Sequence, residues 1–393
     1  MKAGWEVRPL IEVCKLINGK AYKKKELLDD GKYKVLRVGN FFTNRSWYYS
    51  DLELDENKYC DDGDLLYAWS ASFGPRIWQG GKVIYHYHIW RVDVDPSLID
   101  KKFLYYFFDY DKEEIKAEQG AGTTMVHVSM RSMNARKIPL PPLEEQKRIV
   151  AILDEAFECL DRARAHTEAN LQNAKELFAS VLEECFDFGN AEFHKFEELC
   201  ENTQIGLVRN AKSQSHNFPT PYVKMNNIGN SGRFVDKQFS KVECTAEELE
   251  KYALKTGDFL FNTRNSYELV GKSCIYEPSW RERTVFNNNI MRVRFTTDVN
   301  AEYIAYAFWT EFVKEGLERI KSGTTNVVGI YHKSLKHLEI PLVGYGHQSA
   351  IVAKLKSLET KVVSLEYQYK SKLKDLDDLR QSLLQKAFAG ELT

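Results

Sequence analysis

Residues 132–186 and 334–388 align without a gap at a constant offset of 202, and a chain that repeats itself in this way folds into two related halves. Ser132 matches Ser334, Ile138-Pro139-Leu140 matches Ile340-Pro341-Leu342, and Gln146 matches Gln348. Ile149-Val150-Ala151 matches Ile351-Val352-Ala353, Leu153 matches Leu355, Leu182 matches Leu384 and Phe186 matches Phe388. Upstream the offset drifts, to 201 for Gly122-Thr123-Thr124 against Gly323-Thr324-Thr325 and to 194 for Gly63-Asp64 against Gly257-Asp258. Each half is therefore a globular part with variable loops followed by a segment of fixed length.

The fixed segment is helical by period. Residues 149, 153, 156, 160, 163, 167, 170, 174, 177 and 181 step by four and three alternately, and 351, 355, 358, 362, 365, 369, 372, 376, 379 and 383 do the same. The run Ile138-Pro-Leu-Pro-Pro-Leu-Glu-Glu suits a helix start with acids in its first turn, and Gly189 and Gly390 stand where the helices are expected to stop. Each helix is expected to be about 60 Å long. Small or polar seam residues (Ala163, Thr167, Asn170) are expected to meet larger ones in the other copy (Leu365, Tyr369), which favours an intramolecular antiparallel pair over helices packed each on its own domain. Charge agrees weakly: residues 139–190 carry 11 acids and 5 bases, residues 339–393 carry 7 and 8.

The globular parts read as mixed α/β with short strands, visible as alternation at 33–38, 82–94, 258–261 and 290–295, and with short helices at 98–110 and 302–320. The expected architecture is α/β (α+β): two mixed domains at 1–138 and 189–338, and two long helices at 139–188 and 339–393 that form an antiparallel coiled coil.

Several function classes drop out. At 43% apolar and 28% charged residues the chain is no disordered tail, and no apolar run approaches a membrane span; the charged start of the sequence does not suit a signal peptide, so the expected compartment is the cytoplasm. A net charge of −1 argues against a protein that coats nucleic acid by bulk charge. The seven scattered cysteines show neither a CxxC pair nor zinc spacing and are expected to be reduced and mostly in the core. There is no phosphate loop, dinucleotide turn, GxSxG, HExxH or Asp/Asn-Pro-Pro-Tyr/Phe string, which favours binding over catalysis and no metal.

With GDLLYAWSASFGPRIW at 63–78, GTTM at 122–125, IPLPPLEEQKRI at 138–149 and LLQKAFAGEL at 383–392, and with the order domain, helix, domain, helix, the chain resembles the specificity (S) subunit of type I restriction-modification systems along essentially its whole length. Two departures stand out. The second copy reads Pro341-Leu-Val-Gly-Tyr-Gly-His-Gln348 where the first has the full PPLxEQ string, and His86-Tyr-His88 stands where relatives often have Asn-Gln-His.

The resemblance implies a non-catalytic subunit whose two globular parts each read one half of a bipartite, asymmetric double-stranded DNA target, while the helices set the gap and dock two methyltransferase (M) subunits, joined by restriction (R) subunits. It places S-adenosylmethionine, Mg2+ and ATP on those partners. Half-sites about 34 Å apart, one turn of B-DNA, would then flank an unread gap.

Base readers belong in loops that differ between the halves and carry donors, acceptors and rings. The candidates are Trp69, Ser70, Ser72, Arg76, His86, His88, Thr123, Thr124 and His127 in the first half. In the second they are Asn226, Asn227, Arg264, Asn265, Ser266, Tyr267, Asn287, Asn288, Asn289 and Asn326. Arg264 offers a fork to guanine and the run 287–289 offers amides to adenine. Lys23-Lys24-Lys25 suits a phosphate contact or a solvated loop. The acids Glu144, Glu145, Asp154, Glu155, Glu158 and Asp161 lie off the seam and form a candidate partner face. An enzyme of unfamiliar motif and a scaffold that only holds proteins apart are the rival functions.

Overall fold

In each half the strand that leads into the long helix pairs with the strand that opens the domain: Lys137–Leu140 with Glu6–Pro9, and Glu339–Leu342 with Glu192–Lys195. In this computed structural model the described residues are 2, 4–70, 73–118, 127–187, 189, 191–236, 240–280, 282–324 and 327–393. The chain divides into two compact units, Met1–Glu168 with Lys370–Thr393, and Ala169–Tyr369.

The first unit holds a four-stranded antiparallel sheet in the order Cys14–Asn18, Ile89–Val94, Leu65–Ala68, Gly74–Ile77, and the second holds its counterpart, Cys200–Ile205, Ile290–Phe295, Phe259–Asn262, Ser273–Ile275. A further sheet in each contains one parallel pair, Tyr33–Leu36 with Val83–Tyr85 and Thr220–Val223 with Val285–Phe286. The alternation at 82–94 is therefore two strands, because the chain turns at 86–88 and changes sheets. The helix expected at 98–110 runs Lys101–Glu118, whereas that at 302–320 is two helices, Ala301–Ala307 and Glu311–Ile320; the Thr310 hydroxyl accepts from Val313 N and starts the second one.

The two long helices run Leu143–Cys185 and Tyr345–Ala389, about 65 Å each at 1.5 Å per residue. Buried glutamines fasten their starts. Gln146 accepts from Asp100 N and donates to Leu98 O and Pro141 O, and Gln348 accepts from Asn300 N and donates to Asp298 O and Val343 O. The decayed second copy thus keeps the one residue whose amide satisfies three buried backbone groups.

In the first unit Arg164 pairs with Asp377, and Arg380 lies 3.6 Å from Asp161, so the two helix segments there are antiparallel. In the second unit Lys354 lies 3.5 Å from Glu184. These pairs overturn the expected match of Ala163 and Thr167 with Leu365 and Tyr369, since position 164 meets position 377.

The seam also drifts. Asn170 and Leu177 are exposed while Leu171 and Phe178 turn inward, and Leu365, Lys372 and Leu379 are exposed while Glu366, Leu373 and Arg380 are partly covered. A strict seven-residue repeat falls about 20° behind a straight α-helix per heptad, and here the helix keeps its own period rather than the heptad's.

The stop signals divide. Gly390 has φ 78 and Glu391 N bonds Lys386 O, the geometry of a glycine-terminated helix, but the first helix stops at Cys185, four residues before Gly189. All seven cysteines are free, as their spacing indicates, but only Cys14, Cys60 and Cys274 are buried; Cys159 is exposed on the polar side of its helix.

Candidate nucleic-acid interface

The same backbone frame appears twice. Each four-stranded sheet ends at a tight turn, 86–88 in the first half and 287–289 in the second. Leu36 O accepts from His86 N as Val223 O accepts from Asn287 N, Ile89 N bonds His86 O as Ile290 N bonds Asn287 O, and Trp69 N bonds His88 O as Thr263 N bonds Asn289 O. A glycine lies beneath each turn because nothing larger fits: a Cβ on Gly19 would stand 2.2 Å from Tyr85 O, and one on Gly206 would stand 2.3 Å from Phe286 O. Beside the turn a helical turn starts in both halves with a basic residue whose N–H bonds an asparagine three residues on, Arg37 to Asn40 and Lys224 to Asn227.

In the first half Trp69, Ser70, His86, His88 and His127 come together. Ser70 bridges His127, and the Trp69 ring lies 4.9 Å from His88 and 6.2 Å from His127. Trp69 is no open stacking platform, since Nε1 donates to Tyr87 O at 2.8 Å and the ring stacks on Trp90. Burial, with His88 and Arg37 nearby, pushes the His86 imidazole down to about 4, and burial lowers His88 as well. Both rings are neutral at pH 7, so they offer one donor and one acceptor rather than charge. Arg76 leaves the constellation: its guanidinium donates to Phe41 O and lies over Trp78. Ser72, Thr123 and Thr124 fall outside the described residues.

In the second half several candidate amides are already engaged. Asn227 is buried, receives Lys224 N and donates to Val235 O. Asn265 donates to Asn262 and receives Ser266 N, and Asn287 receives Asn289 N while donating to Tyr222 Oη. Tyr267 donates to Glu318 beneath Lys321. These side chains hold the frame, and the backbone of Ser266 likewise accepts from Leu269 and Val270. Arg264, Asn226, Asn288 and the Asn289 amide remain open toward solvent, Arg264 and Asn226 being exposed. Asn326 lies outside the described residues.

Sequence reasoning passed over Arg37, Lys224 and Tyr87. The signal for the first two was present as a basic residue three before an asparagine, Arg37-Val-Gly-Asn40 and Lys224-Met-Asn-Asn227, at the same place in both halves.

The acidic face divides too. Glu145 pairs with Lys2 at 2.6 Å and accepts from Thr393, which hold its carboxyl below the usual range, and Asp154 pairs with Lys102 and accepts from Tyr106. Asp161 lies by Arg380. Glu144 and Glu158 are exposed beside Lys147 and Arg162 of their own helix, and Glu155 is exposed with no ion pair among the described residues. No group of three or more His, Cys, Asp or Glu residues among the described residues is placed to hold a metal ion. No helix among them is long and apolar enough to cross a membrane.

The chain is thus a duplicated mixed helix-and-strand frame with long helices, its two halves presenting different side chains at matching loop positions. A sequence profile of the type I restriction modification DNA specificity domain matches residues 2–172 and again 183–375, and the chain belongs to the family of type I restriction-modification specificity subunits. It is similar to the EcoKI specificity subunit of Escherichia coli K12, 25% identical over 99% of this chain and 89% of that one. It is also similar to the MjaVIII specificity subunit of Methanocaldococcus jannaschii, 25% identical over 90% and 86%. Among solved structures, a chain from work on complex assembly and conformational transition of the type I R-M system matches with TM-score 0.78 at 19% identity, covering 100% of this chain and 99% of that one. The HsdS subunit of Thermoanaerobacter tengcongensis matches with TM-score 0.56 at 18% identity, covering 100% and 98%. Those two likenesses concern the fold.

Proposed function

We propose that this chain is the non-catalytic DNA-reading subunit of a type I complex, each globular part reading one half of a bipartite asymmetric target while the long helices set the gap between halves. The observation that carries the reading is the repeated frame: one hydrogen-bond skeleton, two different sets of side chains at its loops. His88, His127 and the rim of Trp69 serve the first half, and Asn226, Arg264, Asn288 and Asn289 the second. Arg37 and Lys224, basic at the same place in both halves, suit phosphate, which is common to every sequence.

The chain's net charge of −1 leaves much of the phosphate neutralisation to partners that clamp the duplex. Two methyltransferase subunits would dock along the exposed acids Glu144, Glu155 and Glu158, with restriction subunits joining them. S-adenosylmethionine, Mg2+ and ATP would be bound by those partners.

The test exchanges residues 1–138 for those of a relative and maps modified bases in a host that also carries the methyltransferase subunit. One half of the methylated motif is expected to change and the other to stay. A change in both halves or in neither overturns the modular reading, and turnover on DNA by this chain alone would make it an enzyme.

A further inference from the structure

After its short helix Val38–Thr43 the first half carries a tight loop with an arginine at its tip. Asn44 (φ 54) and Ser46 (φ 56), on either side of Arg45, are the non-glycine residues in the left-handed region among those described. Asparagine takes that region readily at a helix end, as Asn44 does here, but serine favours it little, so the conformation at Ser46 persists only where its surroundings hold it. They do here. Asn44 N bonds Asn40 O, Asn44 Oδ1 accepts from Trp47 Nε1 at 3.2 Å, and Thr43 Oγ1 donates to Gly39 O while accepting from Arg45 N. Trp47 in turn packs edge-on against the buried Trp78.

The loop is pinned while its arginine is left unengaged. Arg45 is exposed, and among the described residues no carboxylate pairs with it, with Lys34 over the Trp47 ring, or with Arg37 over the Tyr48 ring. Arg37 also acts on His86 and His88, so the cationic stretch borders the turn at 86–88. Two other arginines are engaged within the chain, Arg76 by Phe41 O and, in the second half, Arg233 by Glu359 at 2.7 Å, whereas Arg264 is open as Arg45 is.

We propose that Arg45 is a specificity-determining residue of the first half and takes a guanine through its two-pronged guanidinium in the major groove. The proposal rests on the DNA-reading function above. A phosphate contact needs only a charge within reach, and Lys34 and Arg37 already supply that. A bidentate base contact needs a fixed starting point for the side chain, and the bonds of Asn44, Thr43 and Arg45 N provide it.

The experiment uses the full chain assembled with its methyltransferase subunits, comparing wild type, Arg45→Lys, Arg45→Ala and Arg37→Ala by modified-base mapping and by retention of duplexes at several salt concentrations. Arg45→Lys keeps the charge and, with an unchanged melting curve, is expected to relax one position in one half of the motif by roughly tenfold or more, leaving the other half and the salt dependence as they were. Arg37→Ala is expected to weaken retention alike for all sequences and to flatten the salt dependence.

An unchanged motif for Arg45→Lys overturns the proposal. So does an Arg45→Ala variant that binds every sequence more weakly with the motif intact, which would make Arg45 a phosphate contact. Absence of any sequence dependence in the wild-type complex would instead overturn the DNA-reading function itself.

Discussion

In the first half the rings of Trp69, Tyr87 and His88 crowd together at the turn, Tyr87 and His88 at 3.9 Å, whereas at the same place in the second half Asn265 donates to the Asn262 side chain, Asn262 donates to Asn289 O and Asn287 accepts from Asn289 N. The backbone bonds beneath are the same in both. Packing of rings and exchange of amide hydrogen bonds are thus interchangeable ways to stiffen one frame. Side chains of one residue type thus divide by whether their polar atoms are already engaged. By that criterion Asn227, Asn265 and Asn287 belong to the frame, and Asn226 and Asn288 to the surface.

The comparison breaks most visibly at the ends of the long helices. Phe388, in the first unit, touches the rings of Phe103, Phe107 and Tyr110 at 5.2 to 5.5 Å, while its repeat partner Phe186, in the second unit, meets Tyr303 alone of the aromatic rings in the described contacts. Phe388→Ala is expected to destabilise its unit by about 4 kcal/mol and Phe186→Ala by about 3, read by denaturant unfolding of the full chain. Equal costs would mean that the ring cluster adds nothing beyond burial.

The glutamines should behave alike where the phenylalanines differ. Gln146→Leu and Gln348→Leu each leave one backbone N–H and two carbonyls without their partner, at a cost of about 3 kcal/mol apiece. A small cost at 348 only would show that the altered string around it, Pro341 to Gln348, had already loosened the helix start.

These contrasts bear on what a sequence can disclose. Duplication, long helices and mixed sheets were legible because they rest on apolar period and on repeated strings. Helix ends and seam were less so: Leu177 and Leu379 have the apolar character of a seam, yet the helix's own period turns them outward. The candidate site was legible as a region and poorly as residues. Asn287 and Asn288 are the same residue type side by side, and only the fold shows that one is spent on Asn289 N and Tyr222 Oη. The engagement of Arg76 was hidden for the same reason, since Phe41 O, its acceptor, lies 35 residues away.

Acid separates the halves more finely. His86 titrates at about 4 when folded against about 6.5 unfolded, so between those values the unfolded chain holds more protons and stability falls as pH drops through the window; its counterpart Asn287 does not titrate. Asp111, pushed up to about 6 by burial against the pull of Arg136, works in the opposite direction, which makes the difference between wild type and His86→Asn the proper readout. Because the ring is only partly buried, that difference is expected to be about 1 kcal/mol between pH 6.5 and 4, measured by unfolding at a series of pH values. A difference that stays constant with pH would mean the imidazole is not desolvated as the packing indicates.

The smallest effect on stability is expected at Glu155. Its neighbours on the acidic face are engaged within the chain: Glu145 by Lys2 and Thr393, Asp154 by Lys102 and Tyr106, Asp161 by Arg380. Reversing any of those would disturb the fold and confuse a binding assay. Glu155 is exposed with no ion pair, so Glu155→Lys should shift stability by less than about 0.5 kcal/mol. The substitution still moves the local charge by two units, within a Debye length of about 8 Å of anything docked on the helix at physiological salt. If the methyltransferase subunit meets this face with basic residues, pull-down with Glu155→Lys weakens several-fold at low salt, and the gap to wild type closes as salt rises, because the wild-type attraction and the variant's repulsion are both screened. An unchanged pull-down at low salt, beside an unchanged melt, would remove this face of the first long helix from the interface.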